Sequence, residues 1–262
     1  MRGKSQPSHQ EPPPTWHEEL YNTQAWEMIN GDPSVIAYAR TQALKVIEVM
    51  NLRPGARLLD VACGDGRHAA HWARAGIQVV GVDTSVRSLD RARQRLNGAM
   101  PPVQLTRTDM RHLTFACCFD AAVSLTTSLG YFAADSDDQL VLNGVANALV
   151  PGGTFLVDLI NPSLPQANTI PKTWQRLANG AVVLEERRYD AHRGRSIGWR
   201  YVIDREGHEY NLSVSVRIYT LIELRHMLEA SGMSIERVWG DFAGEEFDSP
   251  SSPRMVVLAR RV

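Results

Sequence analysis

Cysteine is scarce in this chain: Cys63, Cys117 and Cys118 are the only three in 262 residues. Two are adjacent, which rules out a disulfide framework, and no C-x-x-C or Cys/His spacing offers a metal site. No metal is expected, and a reducing, cytoplasmic setting suits such thiols. An excess of charge is missing too. The formal net charge is −1, from 28 Lys+Arg against 29 Asp+Glu, which argues against a nucleic-acid partner. No apolar run is long enough to span a bilayer, so no membrane partner is expected. Residues 1–15 have early basic residues with no apolar stretch behind them. Rich in Pro, Ser and Gln, they are expected to form a disordered tail, not a signal peptide.

What the chain does have is alternation. "GDPSVIAYARTQALKVIEVMNL" reads as an amphipathic helix with Asp32 as cap and Pro33 at its first position. "ARLLDVA", "IQVVGVD", "VQLTRTD", "FDAAVSL" and "TFLVDLI" are strand candidates separated by helical segments. Apolar strands alternating with helices predict an α/β domain, its parallel sheet covered on both faces. From Thr173 to Tyr219 the texture changes to strand-like runs separated by Asn179-Gly180, Arg193-Gly194 and Glu206-Gly207. That pattern predicts an antiparallel insertion of three or four strands. A helix follows, with Thr220 and Glu223 spaced as a capping box. Two closing strands, "SIERVWGDF" and "RMVVLARR", end the pattern.

The segment "LLDVACGDGRHAAHW" places Gly64 and Gly66 between the first strand and a helix. Glycines there let backbone and ligand approach closely. Asp83 ends the second strand, where a carboxylate can bind ribose hydroxyls. These two features alone also fit a dinucleotide site. Asp60 and Asp109 discriminate. Asp60 lies inside the first strand, four residues before Gly64, too early to cap a helix. A carboxylate there repels a pyrophosphate and attracts a cation. Asp109 ends the third strand and can accept from an exocyclic amine, with Met110 packing on the ring. A nucleoside carrying positive charge and no phosphate meets these demands, and S-adenosylmethionine (SAM) is such a molecule.

These segments, with "TRTDMRHLTFACCFDAAVSLTTSLGYF" and "ANALVPGGTFLVDLI", resemble the ordered motifs of class I SAM-dependent methyltransferases. The chain from "RIYTLIELRHMLEASG" onward resembles the tail of a bacterial subgroup acting on small molecules. The resemblance implies a Rossmann-like seven-stranded, mostly parallel sheet of order 3-2-1-4-5-7-6. Its last strand is antiparallel, and the β insertion follows strand 5. It implies a helical lid over 16–56, a SAM-binding core over 57–168 and 220–262, and an insertion over 169–219 serving as substrate cap or dimer face. SAM would be the cofactor and S-adenosylhomocysteine the product. Cofactor contacts would fall to Tyr21, Asp60, Gly64, Gly66, Asp83, Thr84, Asp109, Met110 and Ser124. The chain departs from the family at Asp65, where Thr or Ser is commoner; this adds a negative charge beside the site.

The expected partner is a small-molecule methyl acceptor, taking the group at N or O, with a homodimer through the insertion as a further expectation. Alternatives are an NAD-type oxidoreductase on a similar sheet, or a SAM-binding module without catalysis. Tyr131 and Phe132 are candidates for a substrate wall, or else core aromatics. Tyr131 and His17 are catalytic candidates. Arg188, Arg200 and Arg217 could recognise an anionic substrate group, or sit in ion pairs of the inserted sheet. His68 and His71 are expected on the outer face of their helix.

Overall fold

The computed structural model describes residues 11–164 and 172–262. The expected tail lies outside the described residues up to position 10. Helices α1 (Trp16–Leu20), α2 (Gln24–Asn30) and α3 (Pro33–Val49) come first. Asp32 caps α3 by accepting from the Ser34 N–H, and Pro33 occupies its first turn. Strands and helices then alternate: β1 (Arg57–Val61), α4 (Ala69–Arg74), β2 (Gln78–Asp83), α5 (Val86–Arg95) and β3 (Gln104–Arg107). After a single 3-10 turn (Met110–His112) come β4 (Phe119–Ser124), α6 (Asp135–Ala148) and β5 (Leu149–Ile160).

Four antiparallel strands follow: β6 (Lys172–Arg176), β7 (Val182–Asp190), β8 (Arg195–Ile203) and β9 (Glu209–Arg217). The chain then returns through α7 (Leu221–Ala230), β10 (Met233–Trp239) and β11 (Arg254–Arg261). The capping box of α7 is formed by Thr220 and Glu223.

The main sheet has the order β10-β11-β5-β4-β1-β2-β3. Strand β11 runs antiparallel between β5 and β10; the remaining pairs are parallel. This is the 3-2-1-4-5-7-6 arrangement, and a closing antiparallel strand in that slot distinguishes it from a dinucleotide-binding sheet. The alternation of side chains along a strand sends neighbours to opposite faces. Leu59, Ala122, Phe155 and Val157 join one core, closed by α6 and α7. Leu58, Ala121, Val123 and Leu156 join the other, closed by α3 and α4. A third core packs the insertion against the N-terminal helices, through Val183, Val202 and Leu212 on one side and Trp16, Leu20 and Ala25 on the other. Pro151-Gly152-Gly153 does not precede the fifth strand as the turn chemistry suggests. It lies inside β5 as a register shift, with Phe119 opposite Leu149 and Ala121 opposite Thr154.

Candidate active site

The parallel strands β1 to β4 end at one edge of the sheet, and α1 and α2 cover it. Between them is a cavity of about 800 Å³. Its floor is the turn after β1. Gly64 and Gly66 have φ of +55° and +70°, a backbone that side chains disfavour. A Cβ on Gly64 would meet nothing within 4 Å, whereas one on Gly66 would lie 2.9 Å from Leu96 Cδ1. Gly64 lines the cavity; Gly66 lies behind it, packed on α5.

The three strand-end carboxylates differ. Asp83 accepts from the N–H of Gly64 (2.9 Å) and of Ser85 (2.8 Å), holding the turn and the start of α5 together. Burial raises its pKa, and those donors pull it back. Asp109 accepts from the Arg111 N–H and pairs with its guanidinium at 2.6 Å. Burial works to raise Asp109, but Arg111 overrides it and holds the carboxyl below its ordinary value. Asp60 caps nothing. Its Oδ2 is buried without a partner. Burial first, and the neighbouring Asp83 second, push it up to about 8. An unpaired buried carboxyl facing a cavity is costly unless something of opposite charge comes to it.

Asp65 is neutralised in place. It pairs with Arg95 at 2.7 Å, and Arg67 lies 3.6 Å away. The negative charge between the two glycines therefore serves the packing of the turn on α5.

An aromatic group closes the cavity from above. The Tyr21 hydroxyl donates to the Tyr131 hydroxyl, and the rings stack with centroids 5.8 Å apart. His17 stacks on Tyr131 at 6.1 Å and meets the Phe132 ring edge-on at 5.7 Å. Burial lowers the His17 pKa, leaving a neutral imidazole at pH 7. Burial also raises both tyrosines, which keep their protons. Thr84 and Met110 complete the set of sequence-expected residues in the lining. Ser124 does not line it; its hydroxyl is buried without a partner at the end of β4.

The structure does not bring the three expected arginines to the cavity. Arg200 pairs with Glu185 at 3.1 Å and lies over the Trp26 ring. Arg217 pairs with Glu223 and Asp135. Arg188 is exposed, 3.6 Å from Glu11. Each satisfies its charge in or beside the inserted sheet. The cavity instead has Arg67, which donates to Asn30 Oδ1 at 3.1 Å. His68 is not on the outer face of its helix. It faces inward, buried, with its Nε2 3.0 Å from Gln42 Oε1, and lines the cavity. Its position at the N-terminal end of the short α4, not on its outer face, explains this. Among the described residues, Asp204, Glu206 and His208 are the one grouping with metal-like spacing. They sit at the β8–β9 turn, away from the cavity.

Residues 58–153 match the family model described as a methyltransferase domain. That stretch contains the glycine turn and all three strand-end carboxylates. The chain carries a methyltransferase domain on the fold of class I SAM-dependent methyltransferases. Among such methyltransferases, it is 29% identical to the cypemycin N-terminal methyltransferase of a Streptomyces species, over 88% of this chain and 99% of that one. It is 35% identical to a dTDP-3-amino-3,4,6-trideoxy-alpha-D-glucopyranose N,N-dimethyltransferase of Streptomyces venezuelae, over 38% of this chain and 41% of that one. The methyltransferase fold is shared with CcbJ of Streptomyces caelestis (TM-score 0.80, 23% identity, 93% and 98% of the two chains). It is shared also with SAM-bound CalS10 of Micromonospora echinaspora (TM-score 0.66, 23% identity, 86% and 91%).

Proposed function

We propose that the cavity binds SAM and that the protein transfers its methyl group to nitrogen or oxygen of a small molecule, with an amine as the favoured acceptor. The observation that carries this reading is Asp60: a buried, unpartnered carboxyl beside a glycine turn fits a cation and disfavours a pyrophosphate. SAM, when bound, supplies an activated methyl on a sulfonium. The protein's own task is then alignment and exclusion of water.

In this reading Asp83 holds the ribose hydroxyls, Asp109 and Met110 hold the adenine, and Asp60 faces the positive end. Tyr21 and Arg67 hold the carboxylate of the amino-acid portion. Tyr131 and Phe132 form the wall against which the acceptor lies. His17, neutral and at the cavity wall, takes the proton that an amine must shed. The similarity to an N,N-dimethyltransferase of an amino sugar nucleotide, and to an enzyme named for methylating an N-terminus, supports nitrogen over oxygen. The insertion packs its inner face on α1 and α2. It supports the lid, and its outer face, with Trp174 exposed, is the surface a second copy would use.

Calorimetric titration with SAM and S-adenosylhomocysteine tests the cofactor. Saturable binding of both is expected, and no heat at high micromolar ligand would overturn the reading. Turnover of methyl-labelled SAM against a panel of amines and alcohols tests the acceptor class. Label transfer to alcohols alone would remove the preference for nitrogen.

A further inference from the structure

The loop after β4 contains two consecutive β-branched residues in left-handed backbone. Thr126 has φ +57° and Thr127 has φ +62°. Branching at Cβ makes this conformation unfavourable, and such strain persists only where the surroundings over-determine it. Here they do. The Thr126 N–H donates to Asp158 Oδ2 at 2.9 Å, and the Thr127 N–H donates to the Asp158 carbonyl at 2.9 Å. Arg254, at the start of β11, donates from Nε to Asp158 Oδ1 and from Nη2 to Thr127 Oγ1, both at 2.7 Å.

Asp158 is fully buried in β5, yet both its oxygens are partnered. On the other side Gln42 of α3 donates to Asp158 Oδ2 at 3.4 Å and accepts from His68 at its own Oε1. Donors and acceptors alternate through the whole chain of contacts, so each polar group in it is satisfied. Thr126 at one end and His68 at the other line the cavity.

The sheet order locates these groups. Asp83 ends β2, and Asp109 follows β3 by two residues at the cap of the 3-10 turn, both on one side of the glycine turn. The Thr126–Thr127 loop follows β4, on the other side. A nucleoside whose ribose and adenine lie on the first side directs its amino-acid portion to the second.

We propose that Asp158 and Arg254 are positioning residues that hold the Thr126–Thr127 loop against the amino-acid end of bound SAM. The proposal rests on reading the cavity as the SAM site. Its test is calorimetric binding of three probes: SAM, S-adenosylhomocysteine, and 5′-methylthioadenosine, which lacks the amino-acid portion.

Asp158→Asn and Arg254→Met are expected to weaken SAM and S-adenosylhomocysteine by about tenfold or more while leaving methylthioadenosine within about threefold. Thr127→Val keeps the volume and removes the acceptor of Arg254, and it is expected to show the same split. Thr127→Ser keeps the hydroxyl and should bind like the wild type.

Equal losses for all three probes, or no loss, would overturn the proposal. If Asp158→Asn does not fold, the threonine pair decides: equal binding by Val and Ser variants overturns it. Wild-type protein that binds none of the probes would instead overturn the SAM reading itself.

Discussion

The turn after β1 and the loop after β4 face the same cavity, and both use left-handed backbone to reach it. They do so by opposite means. The first relies mainly on glycine, at Gly64 and Gly66, and sits beside a carboxyl, Asp60, with an oxygen left unpartnered. The second forces two threonines into that conformation and ties them to a carboxyl, Asp158, whose oxygens are both engaged. An open carboxyl is an invitation to a ligand; a closed one is a fixture. In the proposed reading the first region binds charge and the second supplies geometry, which is the division that an in-line methyl transfer needs.

The largest effect is expected from Asp83→Ala. It removes the acceptor for the Gly64 N–H and for the start of α5 as well as the proposed ribose contact. SAM affinity should fall by about a hundredfold or more, about 3 kcal/mol, in a calorimetric titration. Gly66→Ala comes next. A Cβ 2.9 Å from Leu96 Cδ1, on a backbone at φ +70°, should destabilise the fold by about 2 kcal/mol in urea unfolding. Gly64→Ala has the same backbone demand without the clash, so its effect on unfolding should be about half as large. Asp65→Asn weakens the close pair with the partly exposed Arg95 and the longer one with Arg67, and should change SAM binding by about threefold at most. Arg200→Met should leave SAM binding unchanged, because Arg200 belongs to the inserted sheet and not to the cavity.

How much of this was legible from sequence follows from the range of the interactions. The sheet was readable because Leu58 and Leu59 need only local alternation to reach opposite cores. Asp60 was readable because a carboxylate within a buried strand has no ordinary role there. The same argument applies to Asp158 in "FLVDLI", yet its partners Gln42, Thr126 and Arg254 lie 116, 32 and 96 positions away. Nothing local announces that a buried charge is already satisfied. The arginines show the same limit: Arg188, Arg200 and Arg217 look like anion binders until their carboxylate neighbours are placed beside them. A six-residue helix such as α4 has too few turns to define an outer face, so its sequence does not show that His68 turns inward.

Asp60 also makes a statement about pH. Its folded value, about 8, lies above the ordinary 3.8. The folded, ligand-free protein therefore holds a proton that the unfolded chain has lost. Asp60's contribution to stability is complete below 3.8, declines as pH rises toward about 8, and is flat beyond. A cation in the cavity favours the ionised form and reverses that preference.

The most direct measurement is SAM affinity by calorimetry between about pH 6 and 9, in wild type and in Asp60→Asn. Wild-type affinity should rise with pH and level off near 8, with a proton released on binding below that point. The Asn variant should bind more weakly and lose that part of the slope. A wild-type affinity independent of pH, or an identical slope in the variant, would contradict the assignment of Asp60 as the carboxylate that receives the cation.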